Sequence, residues 1–116
     1  MINLDTNTAI AFIAEDSTVR HTLREFVKGQ QLVMAQTALD EFINIVQRSA
    51  GVSEQARANR FLQRVMAIPD HPSPAALTLR PTRRLDVNDI IILGTGDQLD
   101  IVTMTAGAKA VRAAST

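Results

Sequence analysis

The chain has 116 residues, with 12 Lys+Arg against 12 Asp+Glu and no cysteine, tryptophan or tyrosine. That length is one domain, able to bury a core without staples, and the missing cysteines exclude disulfides, thiolate metal sites and thiol nucleophiles and fit a reducing compartment. Zero net charge removes any overall attraction to nucleic acid or anionic membrane, yet ten of the twelve cations are arginine, the residue suited to bidentate phosphate contacts.

In chain order, Ile2 to Leu4 reads as a short strand closed by Asp5-Thr6-Asn7, and a helix is expected from about Thr8 to Ala14. Ser17 is placed to cap a second helix with Val19, Leu23, Phe26 and Val27 on its buried side, ended by Gly29. Leu32-Val33-Met34 is a buried strand, and Thr37 caps a helix in which Leu39, Phe42, Ile43 and Val46 recur at i, i+3, i+4 and i+7. Gly51 ends it. Ser53 opens a further helix burying Phe61, Leu62, Val65 and Ile68, with Arg57, Arg60 and Arg64 outside. Pro69, Pro72 and Pro74 mark a loop, and Ala75 to Leu79 reads as a strand beyond it.

Residues 86–104 admit two readings. Ile90 to Leu93 and Ile101 to Met104 fit a β-hairpin about a Gly-Thr-Gly-Asp turn; alternatively Asn88 to Leu99 is a buried helix, with Gly94 and Gly96 allowing close packing, followed by a parallel strand. The alternation of strands and helices favours the helix and a three-layer α/β/α fold around a mostly parallel sheet of four or five strands. A last helix is expected from Ala106 to Ala114. The first residues carry neither the positive region nor the apolar run of a signal peptide. No stretch approaches the ~18 apolar residues of a membrane span, and a cytoplasmic protein without a membrane role is expected.

Open parallel sheets bind ligands at the carboxyl ends of their strands, where Asp5 ends the first strand. Each acid also has a plainer explanation. Asp5 or Thr6 can cap the following helix; Thr37 and Asp40 have capping-box spacing, as do Asp86 and Asp89; Glu41 can be a solvated surface acid. Asp97 and Asp100 flank a turn and read as solvated.

The order of the elements carrying the acids resembles the PIN-domain family of metal-dependent nucleases. The matching residues are Leu4-Asp5-Thr6-Asn7 at the first strand, Glu41-Phe42 in the Thr-x-x-x-Glu helix, and Asn88-Asp89-Ile90-Ile91-Ile92 in the late helix. The resemblance spans nearly the whole chain and implies that Asp5, Glu41 and Asp89 hold Mg²⁺ or Mn²⁺ for hydrolysis of RNA. It further implies that Thr6 or Asn7 holds the scissile phosphate and that Thr105 binds a metal-bound water. Arg83 and Arg84, with Arg80, form a candidate loop for the RNA backbone, and Arg20, His21 and Arg24 a second. Small solitary members often serve as the toxin of a toxin–antitoxin pair, which implies an antitoxin-like protein partner, and a homodimer is expected. One departure stands out: where the family carries a fourth acid, this chain reads Thr103-Met104-Thr105. That sets a second reading beside the first, a catalytically impaired PIN-like module binding RNA or a protein. A third is an unrelated flavodoxin-like or receiver-like domain whose acids bind Mg²⁺ for signalling.

Overall fold

A computed structural model describes residues 1–14 and 17–105. The elements run β1 (Ile2–Leu4), α1 (Thr6–Ile13), α2 (Ser17–Phe26), β2 (Leu32–Ala35), α3 (Gln36–Ser49), α4 (Val52–Leu62), β3 (Val65–Ile68), α5 (Pro74–Leu77), α6 (Val87–Gln98) and β4 (Val102–Met104). The four strands form one parallel sheet in the order β3-β2-β1-β4. Asn3 lies between Val33 on one side and Thr103 on the other. Every residue of β1 and β2 is buried, as central strands covered on both faces require, whereas β3 and β4 are half exposed at the edges.

Each strand-to-strand connection is a helical crossover, and right-handed crossovers divide the helices between the faces. The chain steps from β1 to β2 to β3 in one direction, which sets α1 to α4 on one face, then returns past β1 to β4 with α5 and α6 on the other. Packing agrees: α1 contacts α2, α3 and α4, while α5 contacts α6. The core on the α1–α4 side joins Ile2, Leu4 and Met34 to Phe12, Phe42 and Phe61. The Phe61 ring centroid lies 5.3 Å from that of Phe12 and 5.5 Å from that of Phe42, both tilted, the spacing favoured by aromatic quadrupoles.

The opposite face buries a polar residue and brings α6 close to its neighbours. Asn3 is fully buried there, its amide donating to Ile92 O at 3.0 Å and Thr103 Oγ1 at 3.1 Å. A Cβ at Gly96 would collide with Thr103 Oγ1, so α6 lies on β4 closely enough to admit only glycine at that point. Gly94 is similar: its Cβ would stand 2.6 Å from Ala76 Cβ on α5. The glycines thus serve helix packing, and the helical reading of this segment holds.

Three expectations are corrected. Ala75 to Leu79 is not a strand: Ser73 caps α5 by accepting from Ala76 N at 3.2 Å, and Pro74 sits at its first position, where its fixed φ favours a helix. Val65 and Ile68 do not extend α4; the helix stops at Leu62 and they belong to edge strand β3. Phe26 and Val19 are 68% and 43% exposed, and Val27, just past the end of α2, enters the core instead. The helix expected at 106–114 lies outside the described residues. Among the described residues no helix is long and apolar enough to cross a membrane.

Candidate functional site

The strand order reverses at β1, so the carboxyl ends of β1 and β4 flank the crevice where open α/β sheets place ligands. Asp5 and Thr105 are the residues that directly follow those strands. The two ends are tied together: Asp5 N donates to Met104 O at 3.2 Å, and Thr8 Oγ1 to the same carbonyl at 3.1 Å. Asp5 is also the N-cap of α1, with extended backbone and Oδ1 accepting from Thr8 N at 2.8 Å. Capping and edge placement therefore hold together for this residue.

Glu41 arrives from α3, and its position is set by where that helix begins. The N-cap is Ala35, not Thr37, because β2 runs into α3 without a linker; no side chain of its own caps it. Asp70, beyond the end of β3, supplies the cap from outside, accepting from Thr37 N at 3.0 Å and from Thr37 Oγ1 at 2.5 Å. Asp40 stands exposed and accepts from Gln36 Nε2 at 2.8 Å, outside any capping box. Glu41 is half buried and faces inward. Its Oε1 accepts from Thr6 Oγ1 at 2.8 Å and its Oε2 from Asn88 Nδ2 at 3.3 Å. One carboxylate thus spans the neighbour of Asp5 on α1 and the neighbour of Asp89 on α6.

Asp86 and Asp89 form the expected capping box at the start of α6: Asp89 N donates to Asp86 Oδ1 at 2.8 Å, and Asp86 N to Asp89 Oδ2 at 3.1 Å. Burial pushes the Asp89 carboxyl above its ordinary range, and the charges of Asp86 and Glu41 add to the effect, against the lowering influence of the Asp86 N–H. Asp89 thus senses Glu41 electrostatically, whereas Asp5 is linked to Glu41 through Thr6.

The three acids are drawn to one edge but not into one cage. Among the described residues, no three Asp, Glu or His side chains are grouped closely enough to hold a metal ion. Thr105 Oγ1 is buried at the end of β4 without a hydrogen-bond partner among those residues. Thr6 donates a hydrogen bond from its hydroxyl to Glu41, while Asn7 is exposed at the start of α1. Arg83 and Arg84 are exposed on a turn in which Thr82 N donates to Leu85 O at 2.8 Å, immediately before Asp86. Sequence reasoning missed Asp70 as the outside cap of α3, and Asn88 and Thr6 as the groups that hold Glu41. Only the adjacency of Asn88 to Asp89 and of Thr6 to Asp5 pointed to them. Asp97 is not merely solvated either: it accepts from Ser73 Oγ at 2.6 Å, fastening the proline-rich loop to α6.

Strand order, crossovers and carboxylates at the switch point define a three-layer, PIN-like α/β fold with an acidic edge. By residues 11–116 the chain belongs to the family described as protein of unknown function, DUF1308. Among solved structures it resembles the crystal structure of VapBC2 from Rickettsia felis bound to a DNA fragment from their promoter. That match has 18% identity and a TM-score of 0.66, over 97% of this chain and 92% of the other.

Proposed function

We propose that the protein is a PIN-like ribonuclease that hydrolyses RNA phosphodiester bonds with Mg²⁺ or Mn²⁺ at the edge formed by Asp5, Glu41 and Asp89. The observation that carries this reading is the Glu41 carboxylate, held between Thr6 and Asn88 so that the elements bearing all three acids meet at the switch point. The donors fit a hard cation in chemistry, being carboxylate oxygens only, and in number: one or two carboxylates with waters are enough for Mg²⁺. Glu41 and Asp89 are the pair that fits best, since each already stands in the other's field, with Asp5 at the rim. Bound there, the ion supplies a polarised water and offsets charge on the leaving oxygen.

The chain's own residues do the rest. Thr6 and Asn88 fix the Glu41 carboxylate with two neutral donors, leaving its charge intact. Asp5 keeps Oδ2 clear of protein donors among the described residues, available to accept a proton or a water. Asn7, Thr105, Arg83 and Arg84 are the proposed contacts to the phosphate and the backbone around it. The likeness to VapBC2 supports a toxin–antitoxin setting with an antitoxin-like partner; a cytoplasmic homodimer is proposed with it.

A second reading rests on Thr105. With a hydroxyl at the fourth acidic position and no three-carboxylate group among the described residues, a PIN-like module that binds RNA or a protein without cleaving fits the same edge. Cleavage of single-stranded RNA in Mn²⁺ by wild type, Asp5→Asn and Glu41→Gln separates the two. The nuclease reading expects both variants to fall by about a hundredfold or more, the scale of losing a group that acts on developing charge. Equal residual cleavage by all three assigns the activity to a contaminant and leaves the binding module. Millimolar Mn²⁺ is expected to raise the melting temperature of wild type and not of Glu41→Gln.

A further inference from the structure

At the other end of α1 from Asp5, four arginines converge on one cavity. Arg57, Arg60 and Arg64 from the α4 segment and Arg24 from the last turn of α2 rim a space of about 250 Å³ floored by Phe12 and Phe61. None of the four has a carboxylate partner among the described residues. Arg57 Nε donates to Ile13 O at 2.7 Å, and its Nη2 is buried with no acceptor among those residues. A buried guanidinium nitrogen without an acceptor costs free energy unless a ligand supplies one. Four cations crowded together in a chain of zero net charge repel one another unless an anion joins them.

We infer that this cavity binds the phosphodiester backbone of a single-stranded nucleic acid, and so anchors the strand that the acidic edge acts on. Guanidinium forks match phosphate oxygens two at a time, and the site is built from forks alone, without lysine. Its floor is aromatic yet almost covered, with Phe12 and Phe61 at 5% and 7% exposure. The rings therefore offer an apolar bed for a sugar, not a stacking platform for bases. Placement favours a polymer over a lone anion: Asp5 and Phe12 stand seven residues apart on α1, about 10 Å at helical rise. One short strand can occupy both sites. The inference rests on the acidic edge being where the nucleic acid reacts, but its test does not depend on cleavage.

The experiment is fluorescence anisotropy of a short labelled oligouridylate with the full chain in EDTA, which removes hydrolysis. Arg60 and Arg64 are exposed, so Arg60→Gln with Arg64→Gln leaves the core intact, which circular dichroism checks; Arg48→Gln on α3, which removes one charge away from the cavity, is the control for each single Arg→Gln step. The double variant is expected to bind about tenfold more weakly and to lower the slope of log affinity against log salt by about 1.4, some 0.7 for each phosphate that is no longer neutralised. Arg48→Gln is expected to keep the wild-type affinity. Unchanged affinity in the double variant overturns the proposal. Full displacement by inorganic phosphate or UMP at the same phosphate concentration also overturns it, in favour of a free phosphate. Tighter binding of oligoglutamate, lost in the double variant, overturns it in favour of an acidic protein segment. Cleavage that survives in Glu41→Gln sinks the nuclease reading while leaving this binding result standing.

Discussion

The two ends of α1 treat charge in opposite ways. At the amino end, carboxylates are met by neutral donors from the fold: Thr8 N for Asp5, Thr6 and Asn88 for Glu41, and a reciprocal box for Asp86 and Asp89. At the carboxyl end, four guanidinium groups share a cavity and one buried nitrogen has no partner among the described residues. The acidic edge has two jobs, capping helices and carrying charge, so its residues are well held whether or not a ligand is present. The basic cavity has no structural job that requires four cations. Incomplete satisfaction is thus the better pointer to a ligand, and the acids owe their interest to where the topology sets them.

The largest effect on this contrast is expected from Gly96→Ala. A methyl there meets Thr103 Oγ1 and the Asn3 amide, which are themselves locked to α6 and β4. Overpacking of this kind costs about 2–3 kcal/mol, and the shift of α6 also displaces Asn88 from Glu41. Urea unfolding and RNA cleavage should both suffer, with oligouridylate binding in EDTA spared once the protein is folded. A variant as stable as wild type would mean that α6 is free to move and that the acidic edge is less fixed than its hydrogen bonds indicate.

Asp70→Ala comes next. It removes the side-chain acceptor that serves the first turn of α3, and loss of such a cap costs about 1 kcal/mol. Because that turn leads directly to Glu41, cleavage should fall by more than the stability loss alone accounts for. If cleavage is unchanged, Thr6 and Asn88 are sufficient to position Glu41. Smaller still is Arg57→Met, which keeps the packed stem, loses the bond to Ile13 O and removes the orphaned Nη2. These terms oppose each other, so chemical denaturation should place the variant within about 0.5 kcal/mol of wild type, while strand binding weakens.

What was readable in the sequence follows the same division. The two central strands, the helix start at Asp86 and Asp5 at its strand end were legible because each leaves a local mark: an apolar run, a cap spacing, a polar residue after a strand. Ser73-Pro74 also left a mark, a cap followed by proline, but Ala75 to Leu79 looked apolar enough to pass for a strand. The α4–β3 boundary left none, since Phe61, Leu62, Val65 and Ile68 keep helical spacing across it and only the edge of the sheet claims the last two. The holders of Glu41 come from positions 35 and 47 residues away, and no window of sequence spans that pairing. The arginine cavity was hidden for the same reason: Arg57 and Arg60 on α4 and Arg64 just beyond it read as a solvated face until α2 and the end of α1 close over it.

The subtlest prediction concerns Asp89, where holding and repelling act on the same carboxylate. Its folded-state pKa is raised, chiefly by burial and then by Asp86 and Glu41, so the native protein binds its proton more readily than the unfolded chain does. The stability linked to that proton is present below the unfolded carboxylate value and is lost as pH rises through the folded one. Asp89→Asn keeps an oxygen to accept from Asp86 N and sheds the charge. Near neutral pH it should therefore be more stable than wild type by a few tenths of a kcal/mol, a small gain because the side chain is partly exposed and screened by solvent. The gap should narrow as pH falls into the carboxylate range, and thermal melts of both proteins across that range measure it. Millimolar Mn²⁺ should close it from the other side, by stabilising wild type alone. A gap that ignores both pH and metal would show that the charge of Asp89 is no burden to the fold and that the residue serves α6 as a cap and nothing more.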